Sequence, residues 1–436
     1  MKPTHRFLGI AWLSVLPAGA AAQQAPAPDT LRLPALQQDA LRADPRARQL
    51  GLHAQQTDLR LRNLSAERLP VFSGEGQAQY QSDVAQIPIR LPSGETPTPP
   101  KDTYEARLGV EQRIIDPTIG PRRAVLRAEL AESQAGVETA LFGLRREVND
   151  AFFAAALLQE RAREIRSVIT GLEARMGEVA AHVREGTALP GEVAALEATL
   201  LQRRQDEAEV VANRGAALSV LSELTGRALG DADVLALPDL SGAVASARTQ
   251  LAQLRVRPEY QRFARARERL DMQEDVVSAR ELPSVSAYGR LGYGRPALSL
   301  LGDRFDAYWL AGIQVRWTPW TWRSTSRERA ALQLQQEIVA ADEAAFTESV
   351  QRAVHTDLSA LDRLSTTLTT DDQIVALRER IEGEARLRLQ EGAVTAAAYV
   401  DRQTDVLEAR IARARHRVEL AQAQARFLTT IGLEVR

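Results

Sequence analysis

The sequence has no cysteine. This excludes disulfides, thiolate metal centres and a lipidated N-terminal cysteine. Aromatic residues are only 5% of the chain, and 55 basic side chains nearly cancel 57 acidic ones, so no bulk charge argues for nucleic acid. Long apolar runs are missing as well. The longest, Ala151 to Leu158, falls far short of the ~18 residues that mark a membrane helix. Any bilayer span must therefore be built of β-strands. Nothing pairs a nucleophile with a base, so the chain does not read as an enzyme, and no cofactor is expected.

What is abundant is Ala, Leu, Arg, Gln and Glu, the mix of long helices and coiled coils. The N-terminus has a basic start (Lys2, Arg6), a short apolar core from Phe7 to Leu16, and small residues through Ala22. Residues 1–22 read as a secretory signal peptide, which makes this an exported protein.

The 436 residues also repeat themselves. Glu185-Gly186 and Glu391-Gly392 both break helical runs, and each run resumes and ends 40 residues on, at Gly226 and Gly432. Asp44-Pro45 precedes Leu69-Pro70 by 25 residues, as Arg257-Pro258 precedes Leu282-Pro283. Two copies of one unit follow, residues 23–226 and 247–436, joined by a linker at 227–246.

Each copy runs through the same events. A helix over Leu33–Arg68 gives way to a period-two strand over 71–80, a Pro-rich loop from Gln86 to Lys101, and a second strand over 104–115. A helix then runs unbroken from about Arg122 to Arg184, and a shorter one returns from Pro190 to Leu224. Copy two predicts a helix over Ala247–Leu282, strands at 285–293 and 308–317, a second long helix from about Ser324 to Gln390, and a last helix. In that last helix Val400, Leu407, Ile411, Val418, Ala425 and Leu428 keep a 3.5-residue period. Two short helices, 190–224 and 247–282, are expected to stack end to end beside one long helix. The stretch 226–246 shows little regular signal.

Strands of about ten residues suit a tilted outer-membrane span, but four cannot close a barrel; three chains would supply twelve. The order and duplication of these breaks, with the Trp317-Thr318-Pro319-Trp320 strand exit, resemble the TolC-type outer-membrane efflux proteins over nearly all of the mature chain. The fold so implied is mainly α with a membrane β-barrel, in which duplicated strand pairs and long helical hairpins form a trimer with a 12-stranded barrel and an α-helical tunnel.

The resemblance implies a passive channel of a tripartite efflux pump, carrying small molecules such as drugs or metal ions from periplasm to exterior. Its partners would be two further copies, a periplasmic adaptor, an inner-membrane pump of RND or ABC type, and outer-membrane lipid. Asp401 and Glu192 fall where family members place acidic residues at the periplasmic entrance; the alternative for Asp401 is an ordinary surface acid paired with Arg402 or Arg388. Gly186, Thr187, Leu189, Gly392 and Val394 would form the adaptor-docking tips. Leu389 and Val394 stand where some members carry a Tyr and an Arg that latch the mouth, so that latch is not expected here.

Tyr308, Trp309, Trp317, Trp320 and Trp322 cluster around one strand and read either as a membrane-interface girdle or as a core where barrel meets helices. His182 and Glu185 have a metal-pair spacing but sit alone. Gly289, Gly292 and Gly294 lie in a strand and do not make a phosphate loop. The rival readings are a conduit for type I protein secretion and a periplasmic coiled-coil adaptor; the adaptor would need one hairpin and extensive β-domains.

Overall fold

A computed structural model describes residues 30–84, 98–251, 256–298 and 304–435. The expected signal peptide at 1–22 and much of the Pro-rich loop lie outside the described residues.

Helices dominate. In chain order the elements are β1 (Thr30–Arg32), α1 (Leu33–Ala43), α2 (Ala47–Ala66), β2 (Val71–Tyr80), β3 (Asp102–Ile115), α3 (Ile119–Arg184) and α4 (Pro190–Thr225). They continue with β4 (Val234–Ala236), α5 (Ser241–Gln250), α6 (Pro258–Ala279), β5 (Ser284–Arg295), β6 (Asp306–Arg316), α7 (Ser324–Gln390) and α8 (Ala396–Thr430). The 66 residues of α3 and 67 of α7 make rods of about 100 Å each at 1.5 Å per residue. Their ends are set locally. Proline occupies the first turn of α4 and α6, where its missing N–H costs nothing. The Thr395 hydroxyl caps α8 by accepting from the Ala398 amide at 3.3 Å. Gly186, Gly226, Gly392 and Gly432 all adopt left-handed φ, from 66° to 89°, at the stops of α3, α4, α7 and α8.

The long helices are flanked by pairs of shorter ones. Arg122 on α3 grips Glu67 beside α2 (2.7 and 2.8 Å), and Arg166 on α3 grips Glu207 on α4 (2.6 Å). Along α7, Glu343 receives Arg267 from α6 (2.5 Å) and Glu379 receives Arg410 from α8 (2.6 Å). The stacking partners differ from those expected. A Cβ on Gly226 would come within 3.0 Å of Ala43, and one on Gly432 within 2.9 Å of the Arg257 amide. The end of α4 therefore meets copy one's own leading helices, and the end of α8 meets α6. End-to-end stacking thus stays within each copy, and α4 does not continue into α6.

Two more expectations fail. The helix predicted over Ala247–Leu282 is two helices, α5 and α6, with Pro258 opening the second. The predicted linker at 227–246 holds β4 and the start of α5, and β4 pairs in parallel with β1, Leu235 opposite Leu31. Gln159 of α3 completes that small sheet: its side-chain amide accepts from the Leu235 N–H and donates to the Leu235 carbonyl, both at 2.9 Å.

The main core sits at this level. Leu33, Leu36, Phe152, Phe153, Leu221, Leu361, Phe427 and Leu428 bring α1, α3, α4, α7 and α8 together, with Phe152 and Phe153 in an edge-to-face contact at 5.2 Å. A second cluster, including Ile165, Leu172, Leu196 and Leu407, fills the space nearer the helical turns. At the opposite end β2, β3, β5 and β6 form one antiparallel sheet in that order.

Candidate functional site: an amphipathic sheet and two helical tips

The sheet registers decide which side chains share a face. Phe72, Gly74, Gly76 and Ala78 of β2 lie beside Val110, Leu108, Ala106 and Tyr104 of β3. Those pair with Gly289, Leu291, Tyr293 and Arg295 of β5, and β5 continues to Ala311, Trp309 and Ala307 of β6. Ala287 and Val285 pair with Ile313 and Val315 to extend the same face. One side of the sheet is therefore apolar nearly throughout, and it is open to solvent: Phe72 is 81% exposed, Trp309 75% and Ile313 71%. A lone soluble protein rarely leaves such a patch uncovered.

The other side carries Glu75, Gln77, Glu105, Arg107, Glu111, Arg290, Tyr288, Tyr308 and Gln314. Arg107 bridges Glu75 and Glu105, and the Tyr308 hydroxyl donates to Glu105. Tyr308 reaches across β5 because the residue between is Gly292, where a Cβ would overlap the phenol ring. That packing is the reason for glycine at Gly292, as Tyr288 is at Gly312. The outer edges of β2 and β6 have no strand partner among the described residues.

The five aromatics grouped by sequence separate. Tyr308 belongs to the polar face, not to an interfacial girdle. Trp309 lies on the apolar face, eight residues from Trp317, which is about 26 Å along a strand. Trp317 donates its indole N–H to the Glu281 carbonyl at 3.0 Å. Trp320 and Trp322 meet edge to face at 5.8 Å and stand 69% and 79% exposed, so no core forms around them. Near Trp309, at the loop end, Phe305 stacks on Tyr293 at 5.7 Å and approaches Tyr104 at 6.3 Å. Aromatics thus mark both ends of the apolar face, the pattern of interfacial belts. The loop-end group was missed because its members come from three separate segments.

At the far end each hairpin closes in a tight turn. The Thr187 amide donates to the His182 carbonyl at 2.9 Å, and the Ala393 amide to the Arg388 carbonyl at 2.8 Å, around Gly186 and Gly392. Leu189 is exposed at the first tip, and Val394 is half-buried at the second. Asp401 is exposed on α8, and Glu192 is half-buried on α4. Neither anticipated partner engages Asp401; Arg402 instead pairs with Asp405 at 3.3 Å, and Asp405 with Arg378 at 2.6 Å.

A contact not foreseen from sequence joins the two hairpins. Tyr399 of α8 is buried and donates to Glu382 of α7 at 2.8 Å, while Arg175 of α3 lies over its ring at 5.2 Å. Burial first, and then the Glu382 carboxylate, push the Tyr399 phenol up to about 12. Its signal in sequence was a lone tyrosine on a helix otherwise rich in small residues.

Among the described residues no group of three or more His, Asp or Glu side chains is placed to hold a metal, and His182 and Glu185 stand 3.9 Å apart on the surface. No described helix is long and apolar enough to cross a membrane.

No protein-family model matches the chain, and no curated protein matches it by sequence. Solved structures do. The chain superposes on the outer-membrane channel CmeC of Campylobacter jejuni with a TM-score of 0.62 at 16% identity, covering 96% of this chain and 93% of that one. Against CusC, a transmembrane channel, the TM-score is 0.65 at 15% identity, with 95% and 96% covered. Against the open state of the MtrE outer-membrane channel of Neisseria gonorrhoeae it is 0.62 at 18%, with 92% and 89% covered. The fold is that of the TolC-like outer-membrane channels, end to end.

Proposed function

We propose that the protein is the outer-membrane channel of a tripartite efflux system. Three copies would pair β6 of one with β2 of the next, closing twelve strands with the apolar face toward lipid and the polar face toward a water-filled lumen. The observation that carries this reading is the sheet itself: one face apolar and exposed, the other charged, and both edges without a strand partner among the described residues. Four strands cannot close alone, and only closure satisfies backbone groups in hydrocarbon. The likeness in fold to outer-membrane channels supports the same reading.

The long helices continue the wall into the periplasm. Asp401 and Glu192 would ring the entrance, and the turns at Gly186, Thr187, Leu189, Gly392 and Val394 would meet a periplasmic adaptor coupled to an inner-membrane pump. The conduit does no chemistry; opening is a change in helix packing at the tips. Small molecules are the proposed cargo, in preference to proteins.

The test is reconstitution. Purified protein should require detergent, migrate on gels in a heat-modifiable way, and conduct ions in planar bilayers. A detergent-free, water-soluble monomer without conductance would rule the channel out.

A further inference from the structure

Just beneath the sheet, α2, α3, α6 and α7 line a half-open cavity of about 600 Å³. Its floor is aliphatic: Leu64, Val125, Leu126, Val276, Val277 and Leu332. Its volume falls in the range of small-molecule sites, and its rim is polar. Arg280 borders it and also borders the recess under the polar side of the sheet, beside Glu111, Ser286, Gln314 and Arg316. Arg280 thus links the cavity to the polar side, which is the lumen in the reading proposed above.

The charges around it are unequal. Arg122 is held by Glu67 at 2.7 and 2.8 Å, and Arg280 by Glu328 at 2.9 Å. Both carboxylates on the cavity wall are thereby engaged. Arg60, the third arginine lining the cavity, also borders the neighbouring polar recess of Glu129 and Glu132; it lies 3.7 Å from Glu129, with no hydrogen bond between them, so its guanidinium can turn to an anion in the cavity. Its planar fork suits a bidentate oxyanion such as a carboxylate or sulfonate.

We propose that this cavity is a binding station for anionic amphiphiles, the apolar body lying on the six aliphatic side chains and the anionic head on Arg60. The placement beside the lumen rests on the channel reading, but the binding itself does not. A conduit with such a station is not inert toward its cargo: an amphiphile pauses on the wall below the barrel before it leaves.

The probe is anilinonaphthalene sulfonate, with the neutral phenylnaphthylamine as its uncharged counterpart, titrated into the full-length protein in lipid nanodiscs and corrected with empty nanodiscs. Saturable binding is expected, one site per chain. Leu126→Trp, which fills the floor, should abolish it for both dyes. Arg60→Gln, an exposed change that leaves the floor intact, should weaken the sulfonate roughly tenfold and leave the neutral dye unchanged. Non-saturable uptake, or binding that neither substitution alters, overturns the proposal. Bilayer conductance on the same preparation separates the two ideas: binding without conductance removes the channel reading, and conductance without saturable binding removes the station.

Discussion

The guanidinium of Arg175 lies 5.2 Å from the centre of the Tyr399 ring, so a side chain of the first long helix holds one of the last. The phenol in turn is tied to Glu382 of α7 at 2.8 Å. One residue thus links α3, α7 and α8 close to the helical turns.

Replacing Tyr399 with Phe keeps the ring under Arg175 and removes the hydrogen bond to Glu382. A loss of about 1 kcal/mol is expected, seen as a lower melting temperature and faster amide exchange near Gly392. The pH dependence has a definite sign. The folded phenol titrates near 12, above the ordinary 10.0, so its neutral form is favoured by folding. Its contribution is fully present below pH 10 and is lost as pH rises through about 12. The alkaline melting limb of the wild type should therefore flatten in the Phe variant; identical profiles would show that the contact carries nothing.

Among the described residues Asp401 makes no ion pair, Arg402 being held by Asp405. Three copies around a narrow mouth would repel one another and favour cations. Asp401→Ala should raise single-channel conductance or lower cation preference in planar bilayers. Unchanged conductance and selectivity would remove Asp401 from the entrance.

The two faces of the sheet give opposite expectations for the same substitution. Leu108→Arg and Ile313→Arg put a charge on the apolar face and should cost ~2–4 kcal/mol near mid-membrane, read as failed folding into liposomes. Gln77→Arg, on the polar face, should fold normally. Equal tolerance at all three positions would mean the apolar face does not meet lipid.

The duplication also supplies a register between copies. If β6 stands to the next copy's β2 as β3 stands to β5, then the pairing of Gly109 with Arg290 places Gln314 beside Gln77 of the neighbouring copy. The natural chain has no cysteine, so Gln77→Cys with Gln314→Cys tests this on a clean background. Oxidation should give a ladder ending at a linked trimer; a linked dimer as the largest species would exclude a three-copy ring.

Much of this molecule is legible from its sequence, and unevenly so. The bounds of β2 and α7 follow directly, because proline, glycine and a switch of period punctuate them. The strands β1 and β4 do not, because three residues each, paired across 200 positions, leave no periodic trace. The helix ending at Gly226 stacks elsewhere than the sequence suggests, and the junction at Gly432 leaves no sequence signal, since length matching cannot say which end meets which. Tyr308 was misplaced because proximity to four tryptophans outweighed its parity in the strand. The hairpin contact of Arg175 with Tyr399 joins residues more than 200 apart, and only packing reveals it.

The bare rims of β2 and β6 carry a cost that begins before the protein reaches its destination. A solitary chain displays two rows of unanswered amides and carbonyls next to a greasy surface, which is a template for indiscriminate clumping. In the channel reading proposed above, a chain kept from its siblings should therefore go to proteases rather than to a reservoir of spare subunits.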